Sequence, residues 1–162
     1  MVRMIPLCQL KGGCMGCCGR NYVSKEEVKV AILQNTKDFD SINPQTKAKL
    51  IKFRDRAQPQ ELRYGVCFNI IEQKGRLFCP LHPAVNKGVD LRINHCDVDF
   101  QCRTAKLFIT WDKNRQERFI DYIQKKELDN LDYSLEMDNG HLLDSFEAEE
   151  KEKGSNSNLS NK

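Results

Sequence analysis

The run Lys11-Gly12-Gly13-Cys14-Met15-Gly16-Cys17-Cys18-Gly19 places three cysteines and four glycines in nine positions. No packed helix or strand is built from such a stretch. Glycine lets the backbone take positive φ and fold tightly, as it must where several thiolates converge on one metal ion. The two residues between Cys14 and Cys17 let the chain turn round an ion with Zn–S bonds of ~2.3 Å. Side chains of adjacent cysteines diverge. Cys17 and Cys18 are therefore expected to serve two ions, to bridge them, or to leave one thiol unligated.

Five further cysteines, Cys8, Cys67, Cys79, Cys96 and Cys102, bring the count to eight in 162 residues. That share, about 5%, falls below the ~8–10% of disulfide scaffolds. The longest apolar run near the N-terminus, Met4-Ile5-Pro6-Leu7-Cys8, is shorter than a signal-peptide core of ~7 residues and far short of a membrane span. A cytoplasmic, reducing setting without a membrane partner is the expectation, and disulfides rarely persist there. Three readings of the thiols remain: metal ligands, small buried apolar residues, or separate redox groups. Metal ligation suits the glycine-rich stretch best. Cys8 lies close enough before Cys14 to return to the same centre, and Cys67, Cys79, Cys96 and Cys102 can supply the remaining corners. Sulfur-rich sites suit Zn²⁺ and iron–sulfur clusters alike. The ferredoxin run C-x-x-C-x-x-C-x-x-x-C-P is missing, which favours zinc, with an iron–sulfur cluster as the alternative.

Charge is unevenly spread. Residues 1–111, which hold every cysteine, carry a formal +8, and residues 112–162 a formal −5. Thiolates around divalent ions would offset much of that basicity.

These residues resemble the YkgJ-type cysteine-cluster family, a zinc- or iron-chelating domain. Its mark is C-x-x-C-x-x-C-C near the N-terminus, then a hairpin carrying further cysteines, then a last cysteine entering a helix. Cys14-Met15-Gly16-Cys17-Cys18 matches the second half of that mark. Arg63-Tyr64-Gly65-Val66-Cys67-Phe68 and Gly75-Arg76-Leu77-Phe78-Cys79 look like the hairpin cysteines, and Cys102-Arg103 like the final one. The likeness spans about residues 8–110. Cys8 stands further from Cys14 than the family's first interval, and the family's Arg-Pro before the last cysteine is replaced by His95-Cys96-Asp97-Val98-Asp99-Phe100-Gln101-Cys102. Cys96 is thus a candidate by spacing alone. What the resemblance implies is metal binding.

The expected fold is a small α+β domain over 1–153, with a cysteine-rich N-terminal loop, one β-hairpin and several α-helices, followed by a disordered tail over 154–162. Ser24-Lys25-Glu26-Glu27 has capping-box form, so a helix over 25–36 is expected, with Val28, Ala31, Ile32 and Leu33 near one face. Asn43-Pro44 reads as the cap and first-turn proline of a helix to about Asp55, with an apolar stripe of Ala48, Leu50 and Ile51. Arg63–Ile71 and Arg76–Cys79 read as the two arms of the hairpin. Helices over 102–109, 112–126 and 142–151 complete the pattern, with Phe119, Ile120 and Ile123 facing inward.

Three histidines remain. His95 is the best spare ligand, although a hydrogen-bonded loop residue is the commoner meaning; His82 is a weaker candidate, and His141 reads as a surface residue. No P-loop, G-x-G-x-x-G, H-E-x-x-H or G-x-S-x-G pattern is present, so no reaction is assigned. The expected function is metal binding, in a structural or chelating role. Two alternatives stand beside it. One is an iron–sulfur redox protein or oxidoreductase, with Cys17 or Cys18 as its reactive thiol. The other is a zinc-containing nucleic-acid-binding module that uses the basic face Lys47, Lys49, Lys52, Arg54 and Arg56, with Phe53 as its interleaved aromatic.

Overall fold

A computed structural model describes residues 5–157. Residues 1–4, the start of the expected N-terminal loop, and residues 158–162, the end of the expected tail, lie outside the described residues. The chain opens with a 3₁₀ segment, Pro6–Gly12, broken at Leu10 and Lys11. There follow α1 (Lys25–Ile42), α2 (Lys47–Arg54), β1 (Leu62–Arg63), β2 (Val66–Cys67), β3 (Ile71–Gln73) and β4 (Arg76–Phe78). The C-terminal part holds α3 (Arg103–Phe108), α4 (Lys113–Lys125), α5 (Asn130–Asn139) and α6 (His141–Ser157). The class is α+β, with two small antiparallel sheets where one hairpin was expected.

The extra turn lies at Tyr64-Gly65. Both residues take positive φ, 48° and 83°, the geometry of a tight two-residue hairpin turn. It pairs Leu62 with Cys67 and Arg63 with Val66. The second turn repeats the device at Lys74-Gly75, with φ of 51° and 72°, and pairs Ile71 with Phe78. Cys67 and Cys79 therefore belong to different hairpins.

Ser24 caps α1 as its motif requires, its Oγ accepting from the Glu27 amide at 3.2 Å. The helix runs six residues beyond the expected end, because Asn43 closes it in the left-handed conformation (φ 45°). Asn43 is thus the C-cap of α1. Thr46 is the N-cap of α2, accepting from Lys49 N at 3.3 Å. Within α1, Val28, Ala31 and Ile32 are buried, whereas Leu33 is 55% exposed. In α2 the buried anchor is Phe53 and Ala48 faces solvent. α6 continues to Ser157, so its last four residues fall in the segment expected to be a tail.

Two apolar cores result. The first joins Ile5 and Leu7 to Ala105, Phe108, Phe119, Ile123, Tyr133, Met137, Leu142 and Phe146. Phe119 lies at its centre, 4.9 Å from Phe146 and edge-on to Trp111 at 5.4 Å. The second joins Met15 to Val28, Ala31, Ile32, Val66, Ile70, Leu77 and Leu131. The cysteine-rich N-terminal stretch passes between them, with Leu7 anchored in one and Met15 in the other, both fully buried. No helix among the described residues is long and apolar enough to cross a membrane.

Candidate metal centre

The N-terminal stretch is held by its backbone. The Tyr133 hydroxyl donates to Leu7 O at 2.7 Å from within the first core. Cys14 N donates to Cys8 O at 3.1 Å, closing the long interval between those two cysteines. Met15 N donates to Ser134 Oγ at 3.0 Å, and Cys18 N donates to Met15 O at 2.7 Å. Tyr22 covers this turn, its hydroxyl donating to Met15 O at 2.9 Å. The glycines make the close approach possible. A Cβ on Gly13, at φ 103°, would run into the Leu77 carbonyl, and one on Gly19 into the Gly65 carbonyl. Arg20 N donates to Gly65 O at 2.9 Å, and Cys67 N to Cys18 O at 2.9 Å. The stretch is thereby stitched to both hairpins and to α5.

This stitching sorts the thiols. Cys8, Cys14 and Cys102 pack against the first core, and Cys18, Cys67 and Cys79 against the second. Cys17 and Cys18 meet where the two groups adjoin, with sulfurs 4.0 Å apart. Cys96 lies in the loop after Cys79; its amide bonds Arg92 O at 3.1 Å, and Leu91 N ties that loop back to Leu81 O at 3.1 Å.

Electrostatics follows the same division except at Cys17, whose charge acts on Cys8, Cys14 and Cys102 and also on Cys18, Cys67 and Cys96. Burial pushes the Cys8 thiol up to about 12, and negative charge on Cys17 and Cys102 adds to the shift. Burial also raises Cys14, with Cys17, Cys8 and Cys102 contributing. Cys102 is raised by burial and by Cys17. In the second group, burial raises Cys79, with Cys67 and Cys96 adding to it. Burial likewise lifts Cys96 to about 11. Cys17 differs: the hydrogen bond from the Cys18 thiol brings it down to about 7, and that same bond, followed by burial, raises Cys18. Cys17 is also the one exposed cysteine.

Several amides and guanidiniums stand ready for thiolate charge. Gly16 N points at Cys14 Sγ (3.3 Å) and Ala105 N at Cys102 Sγ (3.4 Å). The Asn69 and Leu81 amides oppose the burial-driven rise at Cys67 and Cys79 in the same way. Arg92, forked onto Asp90 at 2.9 and 2.7 Å, acts on Cys17, Cys79 and Cys96. Arg56, bonded to Asp38 at 3.2 Å and stacked on Phe53 at 3.8 Å, acts on Cys67. Sequence patterning did not single out Arg92, Ser134 or Tyr22. Their roles depend on contacts across 7 to 119 positions.

The other candidates fall elsewhere. His95 is buried, and its charged neighbours are Arg54, Asp55 and Arg56; its Nδ1 lies 4.0 Å from Asp55. His82 Nδ1 accepts from Ala84 N at 3.1 Å. His141 lies on the surface 3.7 Å from Glu136. Asp97 accepts from the Asp99 amide at 3.2 Å in a polar turn. At the end of α2, Arg54 bonds Asp55 and Leu91 O, and Phe53 is buried edge-on to Phe39 at 5.1 Å; just beyond the helix, Arg56 bonds Phe53 O and Phe68 O. Lys47, Lys49 and Lys52 are left on the exposed face.

All eight cysteines are free thiols. As they stand, no three His, Cys, Asp or Glu side chains among the described residues are gathered closely enough to hold a metal ion. The donor set nevertheless fits a thiophilic ion: neighbouring half-buried sulfurs, amides aimed at them, and two guanidiniums beside one group. Comparison with family models, curated proteins and solved structures finds no match.

Proposed function

We propose that this chain is a metal-binding cysteine-cluster protein, holding zinc in a structural or chelating role. The observation that carries the reading is that free thiols from three separate stretches pack against the two cores, Cys8, Cys14 and Cys102 on one and Cys18, Cys67 and Cys79 on the other, with Cys17 beside Cys18. Six of the thiols line the edges of the two cores, where a bound ion would make each sulfur a ligand as well as a packing group. The likeness to the YkgJ-type cluster proteins points the same way. Because the ligands come from distant segments, binding free energy becomes folding free energy, and the ion acts as a clamp across about 90 residues of chain. The test is elemental analysis of anaerobically purified protein together with its visible spectrum. Zinc without colour supports the reading. Iron with absorption near the blue edge of the visible would assign an iron–sulfur cluster instead, and metal-free protein with full stability would overturn the proposal.

A second reading rests on Cys17 and Cys18. An exposed thiol brought down to about 7 by its neighbour is the arrangement of a reactive dithiol. If the N-terminal thiols carry no metal, this redox reading takes precedence.

A further inference from the structure

Cys18 and Cys67 face each other across a short strand pairing. Gly19 and Val66 form an antiparallel bridge, closed by Arg20 N donating to Gly65 O and Cys67 N donating to Cys18 O, each at 2.9 Å. One step along that register sets Cys18 opposite Cys67. Directly opposed residues of an antiparallel pair carry their side chains on one face, and both cysteines pack against the second core. Opposed Cα atoms at a hydrogen-bonded position lie ~5.5 Å apart, inside the ~4.4–6.8 Å that a disulfide spans. Both residues are free thiols. We propose that Cys18 and Cys67 are a redox-modification site, joined as a cross-strand disulfide when hydrogen peroxide oxidises the chain. The register is made by backbone bonds, so the proposal does not rest on the metal-binding reading.

Both backbones are pinned. The Cys67 carbonyl accepts from Ile70 N and from Asn35 Nδ2, each at 3.1 Å, and β1 pairs Leu62 with Cys67 on the far side. Cys18 N donates to Met15 O at 2.7 Å. The other neighbouring thiols are less suited to the same bond. Cys17 Sγ lies 4.0 Å from Cys18 Sγ, but a disulfide between adjacent residues closes an eight-membered ring around a planar peptide group, which resists it. Cys14 N donates to Cys8 O, yet Cys8 lies in the 3₁₀ segment and no strand register gives that pair a common face.

The step balances. One sulfur of the pair, as thiolate, attacks a peroxide oxygen. The O–O bond breaks, hydroxide leaves and takes up the thiol's proton as water, and a sulfenic acid remains. The second sulfur attacks that sulfenic sulfur, the S–O bond breaks, and a second water leaves as the S–S bond forms. Two electrons pass from the two sulfurs to one peroxide. The product fastens the N-terminal stretch to the first hairpin, across 49 positions of chain, and withdraws two sulfurs from any metal. A dithiol reductant reverses it.

The experiment treats the full chain, purified anaerobically, with an equimolar amount of hydrogen peroxide, then blocks the remaining thiols and maps tryptic peptides without reduction. The expected result is a linked pair of the peptides 12–20 and 64–74, with fragmentation placing the bond at Cys18 and Cys67, and its disappearance after dithiothreitol. Cys17→Ser keeps both members of the pair and should still form the bond; Cys18→Ser should lose it. A Cys17–Cys18 ring, a main cross-link between Cys8 and Cys14, sulfinic acid at these positions without a cross-link, or loss of the bond in Cys17→Ser would overturn the proposal. Zinc content, measured before the oxidant is added, tests the metal-binding reading separately, and its absence would leave the cross-strand site standing.

Discussion

The amide of Cys67 donates to the carbonyl of Cys18 over 2.9 Å, joining two cysteines 49 positions apart. The bond runs backbone to backbone and holds the two residues adjacent. A metal bound by both side chains would lock a contact that the polypeptide already makes.

The close approach of the N-terminal stretch to the second hairpin separates two glycines that share a positive φ. Gly13→Ala should lower the melting temperature more than Gly75→Ala. Both place a side chain at positive φ; Gly13, at φ 103° and ψ 152°, lies in a region essentially reserved for glycine, and only at Gly13 would the new Cβ meet a carbonyl, that of Leu77; the space at Gly75 is open. Metal content should fall in Gly13→Ala and hold in Gly75→Ala. Equal melting temperatures would show that the loop does not rest on β4.

Tyr133→Phe removes the buried bond from α5 to Leu7 O and leaves that carbonyl without its partner, a loss of about 1–3 kcal/mol. The 3₁₀ segment carrying Cys8 should loosen, which limited proteolysis near Lys11 would detect. Unchanged cleavage would place the hold on this segment elsewhere.

Ser24→Ala deletes the cap of α1 and should cost about 1 kcal/mol, read as a shift of ~2–4 °C in the melting temperature. Metal content should not change, because the cap touches no cysteine. A drop in bound metal would couple α1 to the centre more tightly than its contacts indicate.

Metal uptake should strengthen with rising pH. Burial and neighbouring thiols hold Cys8 near 12 and Cys96 near 11, so these groups are protonated in the metal-free chain at neutral pH. Binding an ion as thiolates expels those protons, and proton competition weakens as pH increases. Competition with a chelator of known proton affinity, run between about pH 6 and about pH 8, should show affinity climbing throughout. A flat profile would mean that protonated thiols are not the groups being displaced.

Sequence alone revealed those elements whose signals are local. Ser24-Lys25-Glu26-Glu27 announced the start of α1, and the expected helices over 102–109 and 112–126 match α3 and α4 to within a residue or two. Signals with two meanings misled. Asn43 can cap the start of a helix or end one in the left-handed conformation, and the length of α1 decides in favour of the latter. Tyr64 favours strands, yet it takes φ 48° to turn the first hairpin. Helix α5 was overlooked because Leu131, Tyr133, Leu135 and Met137 alternate as in a strand, although Asp129 caps the helix at 2.7 Å and Gly140 ends it. At the candidate centre, the glycine-rich cysteines were legible from composition. Their division into two groups was not, because it follows from which core each segment packs against.

Thiol accessibility in the native protein tests metal binding most directly. The measurement is titration of the anaerobic, undenatured chain with a thiol reagent, before and after adding a strong chelator. The account predicts that most of the eight thiols stay unreactive until the chelator is present, and that all eight then react as the hairpins loosen. If the chelator changes neither the number of reactive thiols nor their rate, the sulfurs are not metal ligands, and the claim that metal joins the two cores is contradicted.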